Sequence, residues 1–487
     1  MCGIFGIANH SEAARMTYLG LYALQHRGQE STGISASNGV EMRTHKAMGH
    51  VADVYKRRDL ERLEGPNAIG HTRYSTSGES SAGNAQPIVV KSAWGDVAMC
   101  HNGNLINAVQ LRQELEASGS VFQSTGDSEV ILHLLARADG DTLLDALASA
   151  LARTEGAYSL LLLNGKSMIA ARDPFGFRPL CLGKLNGSFV VASESCAFDL
   201  INATYLREVK PGEIIVIEGE ELRSVQALTS TRQARCIFEH VYFARPDSIV
   251  FDKTVQATRE RMGRILAEES SVDADLVVPV PDSGVTAAIG YSQASGIPFS
   301  FGLIRNHYVG RTFIEPSQSI RHFGVKVKLN PVRQLLAGKR VVLIDDSIVR
   351  GTTSRKIVKM VRAAGASEVH VRISCPPTVS PCFYGIDTPT RKELIASSHT
   401  IDEIRKYISA DSLAYLSLPG LLRAVDGTEN DFCTACYTGL YPLELGRDIV
   451  KGSEDDDRQL DLWDSLDMDE DEDWMVPVSV RADDDER

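Results

Sequence analysis

The chain has 487 residues and a formal net charge of −13, but residues 454–487 hold sixteen Asp or Glu against Arg458, Arg481 and Arg487, so the excess lies in a tail and the body is neutral. A neutral body argues against a nucleic-acid-binding surface at the level of total charge. Nine cysteines, no charged start leading into an apolar core, and no apolar run near the ~20 residues that cross a bilayer exclude a disulfide-stapled secreted domain and a membrane span; the expectation is a cytoplasmic protein of about three domains.

The chain opens "MCGIFGI", a strand-like run with Cys2 directly behind the initiator. Once Met1 is clipped, Cys2 carries a thiol and a free α-amine, a nucleophile with its own base. Apolar residues in "AARMTYLGLYALQ" and "SEVILHLLARA" recur at helical spacing. "AYSLLLLN", "SMIAARD", "SFVVASES" and "EIIVIEG" read as strands separated by Gly and Asn turns. Short neighbouring strands of this kind predict antiparallel sheets with helices packed outside, over residues 2–230.

From about residue 254 the rhythm becomes helix "TVQATRERMGRILAEE", strand "ADLVVPV", helix "GVTAAIGYSQA", strand "KRVVLIDD", helix "SRKIVKMVRAAGA", strand "EVHVRIS". This alternation predicts a parallel sheet covered by helices, with ligands at the carboxyl ends of its strands, over residues 231–450. Residues 451–487 are too charged to fold alone and read as disordered and solubilising. Trp463 and Trp474 in that tail leave a partner-docking motif as the alternative.

Acyl transfer at Cys2 needs oxyanion donors and groups that hold a substrate. "LQHRGQES" (24–31), "GHTRYSTSG" (70–78), "CHNGNL" (100–105) and "TGDSE" (125–129) supply candidates. Taken singly each has a plain alternative: Asp127 caps a helix, Arg73 is a surface charge, "HNGN" is a hairpin turn. Taken together, in this order and spacing, they closely resemble the glutamine amidotransferases with an N-terminal cysteine nucleophile. The resemblance implies an αββα sandwich in which Cys2 attacks the glutamine side-chain amide and releases ammonia. It further implies that Arg73 binds the α-carboxylate and Asp127 the α-amine, that Gly28 lies in the substrate site, and that Asn102 and the Gly103 N–H form the oxyanion hole.

In "VVLIDDSIVRGTTSRKI" (341–357) a buried strand leads into two carboxylates, a small polar loop and a helix. Backbone N–H groups at such a helix start favour phosphate, and Asp345 and Asp346 suit Mg²⁺ or sugar hydroxyls. The segment resembles the phosphoribosyl-pyrophosphate (PRPP) motif of type I phosphoribosyltransferases. That implies substrate contacts from Ser347, Arg350, Gly351, Thr352, Thr353 and Ser354. "VVPVPDSGV" (277–285) matches the pyrophosphate loop of that family, with Ser283 close to the metal and diphosphate. Between them Arg311, Arg321, His322, Lys326 and Lys328 form either a solvated basic loop or, by the resemblance, one that closes over PRPP and helps complete an ammonia route.

"FCTACYTGLYP" contains the pair Cys433 and Cys436, which alone suggests zinc, a redox pair or an iron–sulfur ligand set. A glutaminase region followed by a PRPP region resembles the amidophosphoribosyltransferase family over residues 2 to about 445. One subgroup of that family holds a [4Fe–4S] cluster, which implies Cys236, Cys382, Cys433 and Cys436 as ligands of a structural cluster. Cys100, Cys181, Cys196 and Cys375 are read as buried or incidental. Members with a cluster commonly carry a propeptide, whereas here only Met1 precedes Cys2, so maturation is expected to need only its removal. The resemblance also implies a homotetramer inhibited by purine nucleotides. Sugar-isomerase and ATP-pyrophosphatase patterns of other amidotransferases are not evident. A PRPP-sensing transcriptional regulator would need a basic region and no Cys2.

Overall fold

A computed structural model describes residues 1–75, 78–306 and 328–446. The basic residues Arg311, Arg321, His322 and Lys326 and the tail with Trp463 and Trp474 lie outside the described residues.

The first half stacks two antiparallel sheets. One has seven strands in the order Thr204–Glu208, Cys181–Leu185, Ser188–Ala192, Gly3–Ala8, Asn67–Arg73, Ser31–Ser37, Met42–Met48. The other has six, in the order Glu221–Gln226, Glu213–Glu218, Ser167–Arg172, Gly156–Asn164, Gly95–Leu105, Ile88–Ser92. Their facing sides share one core, in which Ile4, Ala8 and Ile69 meet Cys100, Leu161, Leu163, Met168 and Ile215. The outer face of the first sheet is covered by the helix Ala13–Ala23, and that of the second by Ala108–Ala117, Ser128–Arg137 and Leu143–Leu151. The central strand Gly156–Asn164 is buried on both faces, which is why Leu160–Leu163 form an unbroken apolar run instead of alternating. The result is the αββα sandwich.

The second half has a four-stranded parallel sheet, Leu276–Pro279, Arg340–Asp345, Glu368–Ile373 and Ser412–Tyr415, in the spatial order of the chain. The helices Val255–Glu269, Val285–Ser295 and Thr352–Ala363 pack on it around a single core. Gly263 and Gly290 allow the first two of these helices to touch backbone to backbone: a Cβ would lie 1.9 Å from the Ala287 carbonyl oxygen at one and from the Glu260 carbonyl oxygen at the other. A short parallel pairing of Arg235–Cys236 with Phe432–Cys433 brings the end of the second half back to the junction between the halves.

Candidate functional site

Cys2 sits at the head of the strand Gly3–Ala8, between Asn67–Arg73 and Ser188–Ala192. Its backbone N–H donates to Asn102 Oδ1 at 3.1 Å, and its thiol donates to the Tyr74 carbonyl at 3.6 Å. Asn102 is wholly buried, and its Nδ2 has no hydrogen-bond partner. A buried unmade donor costs about 1–3 kcal/mol, so an amide held this way beside a thiol has the chemistry to receive an oxyanion.

The sequence "HNGN" is not a hairpin turn. His101–Asn104 lie inside the strand Gly95–Leu105, which pairs along its length with Gly156–Asn164 from Val97↔Asn164 to Leu105↔Gly156. Gly103 has φ +156°, and a Cβ there would stand 2.0 Å from the Ala157 carbonyl oxygen.

Asp127 does not cap its helix through its side chain. Its Oδ2 accepts from the Leu105 N–H at 2.9 Å and lies 3.9 Å from His101 Nδ1. Arg73 is buried, not a surface charge; it donates to the Glu79 carbonyl at 3.1 Å and lies 3.7 Å from Glu30 Oε2. Cys2, Arg73, Tyr74, His101, Gly103 and Asp127 line one small pocket. Gly28 is not among the residues lining this pocket; it packs against the strand Asn67–Arg73, where a Cβ would come within 2.5 Å of the Thr72 carbonyl.

The structure adds a charge network that the motifs did not reveal. Arg27 Nε donates to the Cys2 carbonyl at 3.1 Å, and its other nitrogens bind Glu194 and Glu239, the latter at 2.7 and 3.0 Å. Arg178 donates to the same Glu239 at 2.7 Å, and all four side chains are fully buried. Burial alone would raise the Glu194 carboxyl, but His26 and Arg27 hold it well below the ordinary carboxylate range. Glu239 opens a single π-helical turn, Glu239–Phe243, a form often found at functional positions.

In the second half a cleft of about 1250 Å³ is lined by Ser283, Lys328, Asp345, Asp346 and the loop through Ser354, and also by His26, Gln29, His50 and Tyr74 of the first half. Tyr74 lines both cavities. Asp345 ends its strand, and burial, then the neighbouring charge of Asp346, push its carboxyl well above the ordinary value. Ser283 hydrogen-bonds this carboxyl, and Asp346 accepts from Ser347 Oγ. Gly351 has φ +77° at the start of the helix Thr352–Ala363, so the loop turns sharply enough to aim the first N–H groups of that helix into the cleft. Arg350 pairs with Glu393 at 2.7 Å. A pair of crowded carboxyls beside a helix start suits a divalent cation carrying a diphosphate.

Cys236, Cys382, Cys433 and Cys436 line the wall of the same cleft, and all are free thiols. Cys236 and Cys433 are register partners in the short parallel pairing. Among the described residues no three His, Cys, Asp or Glu close around one point as ligands of a single ion would. Burial pushes the Cys236 thiol up to about 11, and those of Cys433 and Cys436 further. Nε and Nη1 of Arg178, the guanidinium beside Cys236 and Cys382, have no partner. One buried and three half-buried thiols lining one wall, two of them beside unpaired guanidinium N–H groups, are a donor set whose chemistry suits an anionic metal–sulfur cluster. Cys100, Cys181, Cys196 and Cys375 are buried elsewhere in the two cores.

A glutamine amidotransferase domain family matches residues 71–199. The amidophosphoribosyltransferase of Bacillus subtilis (strain 168) is 50% identical over 454 residues, covering 92% of this chain and 95% of that protein. That of Methanocaldococcus jannaschii is 50% identical over 473 residues, covering 93% of this chain and all of its relative. A solved structure of glutamine PRPP amidotransferase from B. subtilis, complexed with ADP and GMP, superposes with a TM-score of 0.87 at 50% identity, covering 92% of this chain and 98% of that one.

Proposed function

The chain belongs to the amidophosphoribosyltransferase family, whose members convert PRPP, glutamine and water to 5-phosphoribosylamine, glutamate and pyrophosphate at the first committed step of purine biosynthesis, and from that premise we propose which of its residues perform each half of the reaction. With Met1 removed, the Cys2 amine takes the thiol proton and the sulfur attacks the glutamine amide carbon. Asn102 Nδ2 and the Gly103 N–H receive the oxyanion, while Arg73 and Asp127 hold the substrate α-carboxylate and α-amine. Loss of ammonia leaves a thioester that water hydrolyses. The ammonia passes Tyr74, the residue shared by the two cavities, into the cleft.

There the nitrogen forms a bond to C1 of PRPP as the C1–O bond to diphosphate breaks. The loop 347–354 and the helix start behind it bind the phosphates of the substrate. Asp345 and Asp346, with Ser283 beside them, would hold Mg²⁺, which offsets charge on the departing diphosphate. Cys236, Cys382, Cys433 and Cys436 would hold a [4Fe–4S] cluster as a structural tie. Purine nucleotides of the kind found with the B. subtilis relative would inhibit at or beside the PRPP site, in a homotetramer.

What carries this reading is one juxtaposition: an unpartnered buried amide beside Cys2 and a crowded carboxylate pair in a cleft that both halves line. The test is pyrophosphate release from PRPP and Mg²⁺ by protein kept from air, with glutamine as the sole nitrogen source. Glutamine-dependent release supports both assignments, and no release from iron-loaded protein lacking Met1 overturns them. A colourless, iron-free protein purified without air would refute the cluster alone.

A further inference from the structure

We propose that the turn Cys382–Gly385, part of the second half, positions the oxyanion hole of the first, so that the glutaminase site is completed by a segment 279 residues away in sequence. Gly385 has φ +100°, and a Cβ built there would lie 3.0 Å from both Cα and C of Gly103 and 3.2 Å from its carbonyl oxygen. The two glycine backbones are therefore in direct contact. Next to them Asn104 Nδ2 donates to the Phe383 carbonyl at 3.0 Å. The turn itself is fixed: the Cys382 N–H donates to Thr388 Oγ1 at 2.7 Å, and the Tyr384 N–H to Cys382 Sγ at 3.3 Å. Tyr384 also stacks on Phe177 of the first half, with ring centroids 4.3 Å apart and planes 17° from parallel.

Gly103 is thus confined on one side by Ala157 of its own sheet and held from another by a rigid turn of the other half. A donor earns its catalytic effect only where the oxyanion forms, and displacements of a fraction of an ångström already weaken it. Gly385 and Asn104 touch no reacting atom; they are positioning residues. The inference rests on the assignment of Cys2 and Gly103 given above.

The experiment compares Gly385→Ala and Asn104→Ala with the parent in four measurements: kcat and KM for glutamine, synthesis with free ammonia, alkylation of Cys2 by iodoacetamide, and thermal unfolding. Gly385→Ala is expected to lower the glutamine-dependent kcat roughly tenfold, and Asn104→Ala roughly threefold. KM for glutamine, ammonia-dependent synthesis and alkylation should stay unchanged, because alkylation needs the thiolate but no oxyanion hole. Unchanged kcat in both folded variants overturns the proposal, as does an equal loss of ammonia-dependent synthesis, which marks a merely structural role. If Gly385→Ala does not fold, Asn104→Ala decides alone. Cys2→Ser run alongside separates the two ideas: glutaminase that survives it sinks the underlying assignment, whatever the other variants do.

Discussion

The two candidate sites are built on opposite principles. Around Cys2 the pocket is small, and most of its polar groups are already hydrogen-bonded to each other, with the amide of Asn102 held in reserve. Around Asp345 the cleft is wide and crowds two carboxyls, and among the described residues no Lys, Arg or His side chain bonds to Asp345. The first site is preorganised for a charge that develops during reaction, which costs little rearrangement at the moment of reaction. On the assignment proposed above, the second would be complementary to a charge that the substrate and a divalent cation bring with them. A chain that releases ammonia at one site for use at the other has reason to make them dissimilar, since no single substrate then satisfies both.

The sharpest way to break this comparison is to remove one chemistry and ask whether the other survives. Cys2→Ser should lower glutamine-dependent synthesis at least about a thousandfold while synthesis from ammonia persists; retained glutaminase activity would contradict the assignment. Asp345→Asn should do the reverse, cutting synthesis from either nitrogen source roughly a hundredfold and sparing basal glutamine hydrolysis. Arg73→Lys replaces a forked donor by a point charge and should raise KM for glutamine roughly tenfold with kcat little changed. Steady-state kinetics with each nitrogen source reads all three.

Two smaller tests concern the network behind Cys2. Glu239→Gln leaves Arg27 and Arg178 buried with one carboxylate fewer and should cost about 3 kcal/mol of stability by denaturant unfolding. Glu194 has a lowered carboxyl pKa in the folded protein. Its contribution is complete above the ordinary value of about 4.5 and is lost as pH falls below that, because the unfolded chain then binds more protons. Melting temperature measured between pH 5 and pH 3 should therefore fall more steeply in the parent than in Glu194→Gln. Parallel slopes would show that Glu194 is not held in the way its partners suggest.

Most of the fold and both motif sets were legible because they are local. The PRPP loop is a continuous strand, turn and helix, and "SEVILHLLARA" shows its apolar face within ten residues. The hairpin-turn alternative for "HNGN" fails for an instructive reason: Asn-Gly favours such a turn, but an unbroken ladder to Gly156–Asn164 outweighs that preference. The Arg27, Glu194, Glu239 and Arg178 network was hidden because it joins residues far apart, and arginine in a sequence reads as surface. One signal was present: Glu239 stands in "CIFEHVYF", a lone acid in an apolar run, where a buried and paired charge is the economical explanation. The contact between Gly385 and Gly103 left no trace in either segment, since each glycine alone reads as a turn.

The dependence of the nucleophile on distant segments also governs when activity first arises as the protein is made. Chains emerge from the ribosome N-terminus first, and domains fold in that order. The strands bearing Cys2 and Asn102 are thus complete long before Glu239, and longer still before Phe383 and Gly385. Until those residues arrive, Arg27 lacks one of its two carboxylate partners and Gly103 lacks its outer support. With Gly103 positioned as proposed above, unfinished chains should be poor glutaminases, which would limit futile loss of glutamine by nascent protein whose PRPP site is not yet built.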